Sequence, residues 1–243
     1  LIMGMNKVIW LVNGREGFGI ARATASFAQE FAKAGIHLLF VSIAPGRMAK
    51  TLEQDGHRVI CLDLEPPQVA NGTVEAFIGQ LHRTFTLSSQ ILYALKDLLR
   101  QHNADTFIYR SPNLTQIAAL LPQRVVKCWI MPNVISDGYR WNLNKKITRT
   151  VCRFGGIHVI ANSHYTASSI ASPRFRPDVL HLGVDEKRFN PDLVTNPYHK
   201  EDFGFEPGDL VFGIFARLDP MKAQDLVIEA LARLKTLRPD KTT

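Results

Sequence analysis

The sequence predicts an α/β fold, in which a Rossmann-like parallel sheet is covered by helices on both faces. Short apolar runs recur along the chain, and their length is typical of strands buried inside a sheet. Segments with apolar residues at helical spacing alternate with these runs, which is the order of right-handed βαβ units. Gly, Pro and Asn residues separate the two kinds of segment.

The strands follow from the apolar runs and from the turn residues that bound them. The first run ends in a Gly-rich loop, and the fifth ends at Pro132 and Asn133. Seven strands are expected, at residues 7–13, 37–43, 58–62, 106–109, 125–131, 157–161 and 179–182. In a parallel sheet the ligand cleft lies at the carboxyl ends of the strands, so we expect it on the edge that carries Gly14 and Pro132.

Helices are expected between these strands, where apolar residues recur every three or four positions. The first helix carries Phe27 and Phe31 and ends at Gly35, a residue that is common after helix C-termini. Ser163 offers an N-cap for the last helix of the series. The expected helices cover residues 20–34, 46–54, 87–101, 140–154 and 166–171.

A polar segment with several prolines separates this series from a second α/β unit. We divide the chain into an N-terminal domain (1–187), an interdomain linker (188–207) and the beginning of a second Rossmann-like domain (208–243). In the second domain a strand is expected at residues 210–215 and a helix at residues 226–237. A single strand and helix cannot bury their apolar faces alone.

The composition of the chain indicates which kinds of partner, compartment and metal site to expect. The chain has 243 residues and a net charge of +7, which permits an anionic partner without choosing one. No apolar run is long enough to span a bilayer, and no secretory signal is visible, so we expect a cytoplasmic protein. The three cysteines are widely spaced, and we expect buried free thiols in a reducing compartment. The histidines lack metal-ligand spacing, and no metal site is expected.

One candidate phosphate site is the segment NGREGFGIAR, residues 13–22. Gly14, Gly17 and Gly19 lie between a strand and a helix, where backbone N–H groups and the helix dipole can hold a phosphate. The alternative is a tight turn that binds nothing. The order G-x-x-G-x-G differs from the dinucleotide fingerprint, and no Tyr is followed by Lys four positions later, so a nicotinamide dehydrogenase is not favoured.

A second candidate is the segment FARLDPMKAQD, residues 215–225. Arg217 and Lys222 lie five positions apart, between an apolar run and a helical pattern. The planar guanidinium and the mobile ammonium together suit a diphosphate. As a sugar–diphosphate bond breaks, negative charge grows on the leaving group, and fixed cations stabilise it. The alternative is a solvated loop with two unrelated charges.

Three segments, in order and spacing, resemble a known enzyme family. They are VIANSHYTASSI (159–170), VLHLGVDEKRFNP (179–191) and FGIFARLDPMKAQDLVIEALARL (212–234). The family is that of the retaining GT-B glycosyltransferases of family 4, which contains sucrose synthases and mannosyltransferases. The resemblance implies two Rossmann-like domains facing a cleft, an acceptor side in the N-terminal domain and a nucleotide-sugar side in the C-terminal one.

The resemblance also implies roles for individual residues. Arg217 and Lys222 would bind the diphosphate of a UDP- or GDP-sugar, and the loop with Gly14 and Gly17 would approach it from the opposite side. The donor is a substrate, and neither a cofactor nor a metal is implied. The acceptor would be a sugar or a lipid, and no catalytic residue can be assigned.

Several positions depart from the family pattern. Ala216 and Ala223 stand where the family usually has Gly, and we expect Ala223 to stiffen the loop. The family's pair of Glu residues, eight positions apart, would lie beyond Thr243. We therefore expect a truncated enzyme that is inactive by itself. The alternative is a non-catalytic acceptor-binding module that works with a separate C-terminal subunit.

A basic helical segment predicts membrane contact. Between Tyr139 and Phe154 there are five basic residues and no acidic one, and apolar residues run along another helix face. The basic residues are Arg140, Lys145, Lys146, Arg149 and Arg153. They favour peripheral attachment to an anionic inner membrane face, with a solvated basic surface as the alternative. No nucleic acid is expected, because no basic strand with interleaved aromatic residues is present.

Overall fold

The computed structural model describes residues 7–16, 18–66, 74–135, 143–186 and 189–237. The strands are β1 (Lys7–Val12), β2 (His37–Ser42), β3 (Val59–Cys61), β4 (Thr106–Tyr109), β5 (Val126–Met131), β6 (Ile157–Ala161) and β7 (Asp178–Val179). The α-helices are α1 (Phe18–Lys33), α2 (Arg47–Gln54), α3 (Val74–Gln101), α4 (Thr115–Ala119), α5 (Leu143–Gly155), α6 (His164–Ser168) and α7 (Gln224–Leu237).

The seven strands form one parallel sheet in the order β3-β2-β1-β4-β5-β6-β7. The chain builds outward from β1 to β3 and then crosses back to place β4 on the other side of β1. The direction of strand progression therefore reverses between β1 and β4, and ligands of such sheets bind at the carboxyl ends near this reversal.

Two apolar cores lie on opposite faces of the sheet, because successive strand residues point to opposite sides. Val8, Trp10 and Val12 of β1 pack with α1 and α2 in one core. Ile9 and Leu11 pack with α3, α4 and α5 in the other. The predicted α/β class, a parallel sheet covered by helices on both faces, is confirmed.

Most predicted elements of the N-terminal region agree with the structure to within a few residues, and two differ. Helix α3 begins at Val74, thirteen residues before the expected start, and strand β7 has two residues. Ser163 caps α6 as expected, since its hydroxyl accepts a hydrogen bond of 3.0 Å from the Thr166 N–H. Of the three free thiols only Cys152 is buried, whereas Cys61 is exposed at the end of the short edge strand β3.

The chain divides into two compact units, Leu1–Gly183 and Val184–Thr243. The first contains the sheet. The second contains α7 and three short 3₁₀ turns, at Pro191–Leu193, Lys200–Phe203 and Pro220–Lys222. None of the described residues of the second unit is buried.

The strand expected at residues 210–215 is wrong. The structure has irregular backbone there, and Leu210, Phe212 and Phe215 are exposed. A strand forms only when its N–H and C=O groups pair with a neighbour, and the described part of this unit contains no other strand. Among the described residues, no helix has the length and apolarity needed to cross a bilayer.

Candidate functional site

The carboxyl edge of the sheet gathers polar side chains from three of its strands. Asn13 follows β1, Arg110 follows β4 and Asn162 follows β6. Because β1 and β4 are neighbours, Asn13 and Arg110 lie at the strand reversal. The Asn13 Oδ1, Arg110 Nε and Asn162 Oδ1 atoms are buried and lack a hydrogen-bond partner among the described residues. Such atoms are uncommon in folded proteins, so this edge has unused capacity for a polar ligand.

The Gly-rich loop after β1 already holds an anion, and that anion is one of its own side chains. The Glu16 carboxylate accepts a hydrogen bond of 2.7 Å from the Gly14 N–H. Its other oxygen accepts a hydrogen bond from the Asn13 N–H. These two backbone donors are the kind that a phosphate would use. A phosphate can reach the Gly14 N–H only after the Glu16 side chain has moved away.

Packing gives Gly14 a second reason to be glycine. Its φ is +95°, and a Cβ built there would lie 1.9 Å from the Ala44 carbonyl oxygen. The Gly14 carbonyl in turn accepts the Met48 N–H at 3.1 Å, so the loop is tied to the beginning of α2. Gly46 is equally constrained, because its Cβ would lie 2.2 Å from the Gly14 carbonyl oxygen. No side chain larger than hydrogen fits at either position.

Arg110 follows β4, the strand beside the one that leads into this loop, and is 8% exposed. Its Nη1 donates to the Thr24 hydroxyl of α1 at 3.3 Å. Burial lowers the pKa of Arg110, and the negative charge of Glu16 partly offsets this shift. The guanidinium of arginine keeps its proton in proteins, so Arg110 contributes a fixed cation to this edge.

The loop between residues 215 and 224 has the opposite character. The Arg217 side chain is 74% exposed, and its ion pair with Asp219 is a loose one of 3.6 Å. Lys222 is exposed at the end of a 3₁₀ turn whose closing bond, from the Lys222 N–H to the Asp219 carbonyl, measures 2.8 Å. The Gln224 side chain donates to the Arg217 carbonyl and fixes the other end of the loop. Both predicted diphosphate ligands thus lie on one braced loop and are open to solvent.

Ala223 occupies the left-handed region of backbone space, with a φ of +53°. This conformation costs an L-residue with a Cβ about 1–2 kcal/mol and costs Gly almost nothing. A Gly at this position would therefore adopt the same backbone conformation without that cost. Ala216 also stands where the resemblance would place Gly, but its φ is not positive. Its backbone conformation is therefore one that Ala adopts without strain.

The structure brings together part of the basic segment predicted to contact membranes. Lys146, Arg149 and Arg153 of α5 line one wall of a groove of about 360 Å³. The opposite wall is the Ser172–Phe175 turn, which adds Arg174. Lys145 is half-buried and does not line the groove, while Ile147 and Phe154 are exposed. Arg140, like Gly17 of the Gly-rich loop, lies outside the described residues.

Three residues of these sites were missed in the sequence: Glu16, Arg110 and Arg174. Glu16 follows Gly14 by two positions, and a carboxylate that near a Gly turn can fold back onto backbone N–H groups. Arg110 follows a buried strand, the position of ligand-binding residues in parallel sheets. No sequence pattern could have identified Arg174 as part of the groove, because the turn that carries it is distant in sequence from α5. No group of three or more potential metal ligands occurs within the described residues.

Solved structures share this fold. HepE from Anabaena in complex with UDP superposes with a TM-score of 0.66 at 20% identity, over 94% of this chain and 58% of HepE. The complex of HepE with UDP and glucose superposes with a TM-score of 0.64 at 20% identity, over 94% of this chain and 58% of HepE. A glycosyltransferase from Rickettsia africae gives 0.54 at 16% identity, over 79% of this chain and 47% of that one.

These comparisons establish the fold. No protein-family model matches the sequence, and no curated protein matches it either. At 20% identity, HepE shows that the chain has the Rossmann-like fold of GT-B glycosyltransferases. The chain spans 58% of the length of HepE, so the activity, substrates and partners of a whole protein are matters of proposal.

Proposed function

We propose that this chain is part of a glycosyltransferase that takes its sugar from a nucleotide-sugar donor. The observation that carries the proposal is the superposition on UDP-bound HepE, which extends over 94% of the chain. The polar carboxyl edge of the sheet and the exposed cationic loop support it, since the first suits an acceptor and the second a diphosphate. UDP is therefore the first nucleotide to try, and GDP is the second.

In this proposal Arg217 and Lys222 bind the donor diphosphate. Both side chains are exposed, and the loop between them is braced by Asp219 and Gln224. During transfer the bond between sugar and diphosphate breaks, and the electron pair stays on the departing phosphate oxygen. A nearby guanidinium and ammonium stabilise that growing charge. The Gly14 N–H can donate to a phosphate only after Glu16 has released it, so we do not expect it to bind the diphosphate in the wild type.

Transfer with retention of configuration is the finer part of the proposal and rests on the three ordered motifs. Its test is the anomeric proton of the product in an NMR spectrum, recorded before the sugar can equilibrate. A product with inverted configuration would remove the retaining assignment and leave nucleotide-sugar transfer in place.

The second candidate is an acceptor-binding module that works with a separate C-terminal subunit. One observation favours it: Phe215, Leu218 and Ile228 of the second unit are exposed, although apolar side chains of this size are normally covered. A donor-binding subunit that covered them would complete the enzyme. In that case the separate subunit should restore transfer when mixed with this chain, and it should be inactive alone.

Calorimetry with UDP tests the donor assignment. A few charge-assisted bonds to phosphate, made by exposed side chains, correspond to dissociation constants of about a millimolar. Arg217→Ala combined with Lys222→Ala should abolish this binding. The matched control removes two other exposed cations of the same unit, Arg233 and Lys235, and should bind like the wild type. Equal loss in both double variants would contradict the assignment.

A further inference from the structure

The positive charge of the chain is concentrated in one stretch. Residues 138–177 contain seven Lys and Arg residues and no Asp or Glu. The whole chain has 29 basic and 22 acidic residues, so this stretch accounts for the entire net charge of +7. The remainder of the chain is electrically balanced. A field of one sign on an otherwise balanced protein attracts an anionic partner to one place.

Folding turns part of this stretch into a groove with two anchored walls, which we call the basic groove. Lys146, Arg149 and Arg153 recur along one face of α5 and form the first wall. Helix α5 is held to the sheet at its C-terminus, where the buried Lys127 ammonium donates to the Gly155 carbonyl at 2.7 Å. This wall is therefore part of the rigid domain.

The second wall is a tight turn. The Ser172 and Phe175 N–H groups each donate to the other residue's carbonyl, at 2.8 and 3.0 Å, which leaves Pro173 and Arg174 at the tip. The Phe175 ring is packed against the apolar core and anchors the turn. Arg149 joins the walls, because its Nη1 donates to the Ala171 carbonyl at 3.2 Å. The side chains that line the basic groove include four cations and no carboxylate.

Apolar side chains are exposed beside the cations on the same helix. Phe154 is 81% exposed and Ile147 is 48% exposed. A helix turns by about 100° per residue, so these two lie one above the other, roughly a third of a turn from the groove-lining face. A basic stripe beside exposed apolar residues is typical of a helix that lies at a lipid–water interface. A duplex nucleic-acid site would need the cations but would gain nothing from the aliphatic Ile147, whereas a lipid interface accommodates both Ile147 and Phe154.

We propose that the basic groove binds the phosphate headgroup of an anionic phospholipid, and that Ile147 and Phe154 enter the interfacial layer beside it. Arg149, Arg153 and Arg174 surround the phosphate from both walls, and Lys146 adds attraction at the rim. The sheet and its acceptor edge are then held at a membrane surface. This inference concerns a different surface from the donor loop and does not depend on transfer activity.

The experiment is flotation of the 243-residue chain with vesicles. One set contains phosphatidylcholine alone, and the other adds a minority of phosphatidylglycerol. The chain should float only with the second set, and less so as salt rises, since surface charges act over about 8–10 Å at physiological ionic strength. Equal flotation with both sets, or none with the anionic set, would overturn the proposal.

Two variants of equal charge locate the surface. Arg149→Gln, Arg153→Gln and Arg174→Gln together should weaken binding to the anionic vesicles by at least about tenfold, because each basic residue near such a surface adds appreciable affinity. The control changes three exposed cations outside the stretch, Lys50, Lys96 and Arg124, to Gln and should bind nearly as the wild type does. Both should retain the wild-type thermal transition. If both triple variants lost the same vesicle affinity, net charge alone would explain the binding, and the assignment of the lipid site to the basic groove would be contradicted.

A third variant and two soluble probes separate the sources of phosphate. Ile147→Ser with Phe154→Ser should reduce vesicle binding and leave binding of glycerol phosphate unchanged. If the vesicle affinity of this variant is unaltered, the ligand is a soluble phosphate and the lipid assignment fails. If duplex RNA binds more tightly than the anionic vesicles, and loses affinity in the Arg149, Arg153 and Arg174 variant, the groove is a nucleic-acid site and the proposal is likewise wrong.

Discussion

The two loops predicted to bind a diphosphate both lie between an apolar run and a helix, but they differ in burial and in what occupies their candidate ligand groups. The loop at Gly14 is buried, its N–H groups are bonded to Glu16, and its glycine is required by the Ala44 backbone. The loop at Arg217 and Lys222 is exposed, and its cations have little to hold them. The two predicted diphosphate loops are thus one that is filled by its own protein and one that is open to a ligand.

The difference teaches that a Gly-rich loop needs its packing examined before a ligand is assigned to it. Glycine lets a backbone approach a phosphate, and it equally lets one backbone approach another. In the first unit, Gly14 allows the loop backbone to approach the backbone of Ala44. The buried charge of Arg110 makes an internal carboxylate useful there, because an unpaired buried cation is costly. The second unit buries none of its described residues and faces no such requirement.

The largest expected effect comes from Gly14→Ala. The added methyl would overlap the Ala44 carbonyl at 1.9 Å in a positive-φ position, so we expect a loss of more than about 3 kcal/mol in the free energy of unfolding. Gly19 is the control, since no atom lies within 4 Å of its would-be Cβ. Gly19→Ala should be neutral or stabilise α1 by up to about 1 kcal/mol. Urea unfolding measures both, and similar values for the two would mean that Gly14 is not a packing glycine.

Glu16→Ala comes next. It removes two charge-assisted hydrogen bonds and the carboxylate that compensates Arg110, so we expect a cost of about 2 kcal/mol. Glu30, whose exposed pair with Lys33 measures 2.7 Å, is the matched control, and Glu30→Ala should cost less than about 0.5 kcal/mol. Sulfate should raise the melting temperature of Glu16→Ala more than that of the wild type, because the vacated N–H groups can donate hydrogen bonds to the anion. Equal sulfate effects would refute the occupied-loop interpretation.

The burial of Cys152 in the first unit also predicts that the stability of the fold falls at alkaline pH. Burial raises the pKa of the Cys152 thiol to about 12 from an ordinary value of 9.0. The unfolded thiol ionises first as pH rises, so stability present below pH 9 is lost between pH 9 and about 12. The loss due to this thiol is at most about 1.4 kcal/mol per pH unit. Cys152→Ala should flatten the decline, whereas Cys61→Ala, at an exposed position, should leave it as in the wild type.

The smallest effect concerns the open loop. Ala223→Gly relieves a left-handed Ala and should stabilise the second unit locally by about 1 kcal/mol. Ala216→Gly, at a position without positive φ, should bring no gain. Hydrogen exchange of the amides from Lys222 into α7 measures the difference. Slower exchange in both variants, or in neither, would show that the backbone at Ala223 is not strained.

The sheet could be predicted because each strand is a bounded apolar run whose partners are other such runs. All seven were found, and Ser163 was correctly assigned as a cap. The strand at residues 210–215 failed for the same physical reason. Its residues are apolar, as in a strand. A strand also needs a partner to pair with, and a local sequence pattern gives no information about that partner.

The site was less predictable, because side chains meet there that are distant in sequence. Arg110 is near Glu16 only because β4 returns to lie beside β1. Arg174 faces α5 only because a turn after α6 folds back onto it. Spacing rules detect neighbours along one helix or loop, such as Lys146, Arg149 and Arg153, and miss pairs that topology creates. The roles of Arg217 and Lys222 remain predictions from pattern and resemblance.

The most direct test of the contrast between the two loops is an NMR titration of the amide-labelled chain with UDP. The account predicts that amides from Arg217 to Gln224 shift in the wild type while those of Asn13 and Gly14 do not. In Glu16→Ala, the Gly14 amide should begin to shift as well. If Gly14 responds to UDP in the wild type as strongly as Lys222 does, or if the Arg217–Gln224 amides stay in place, the central claim is contradicted.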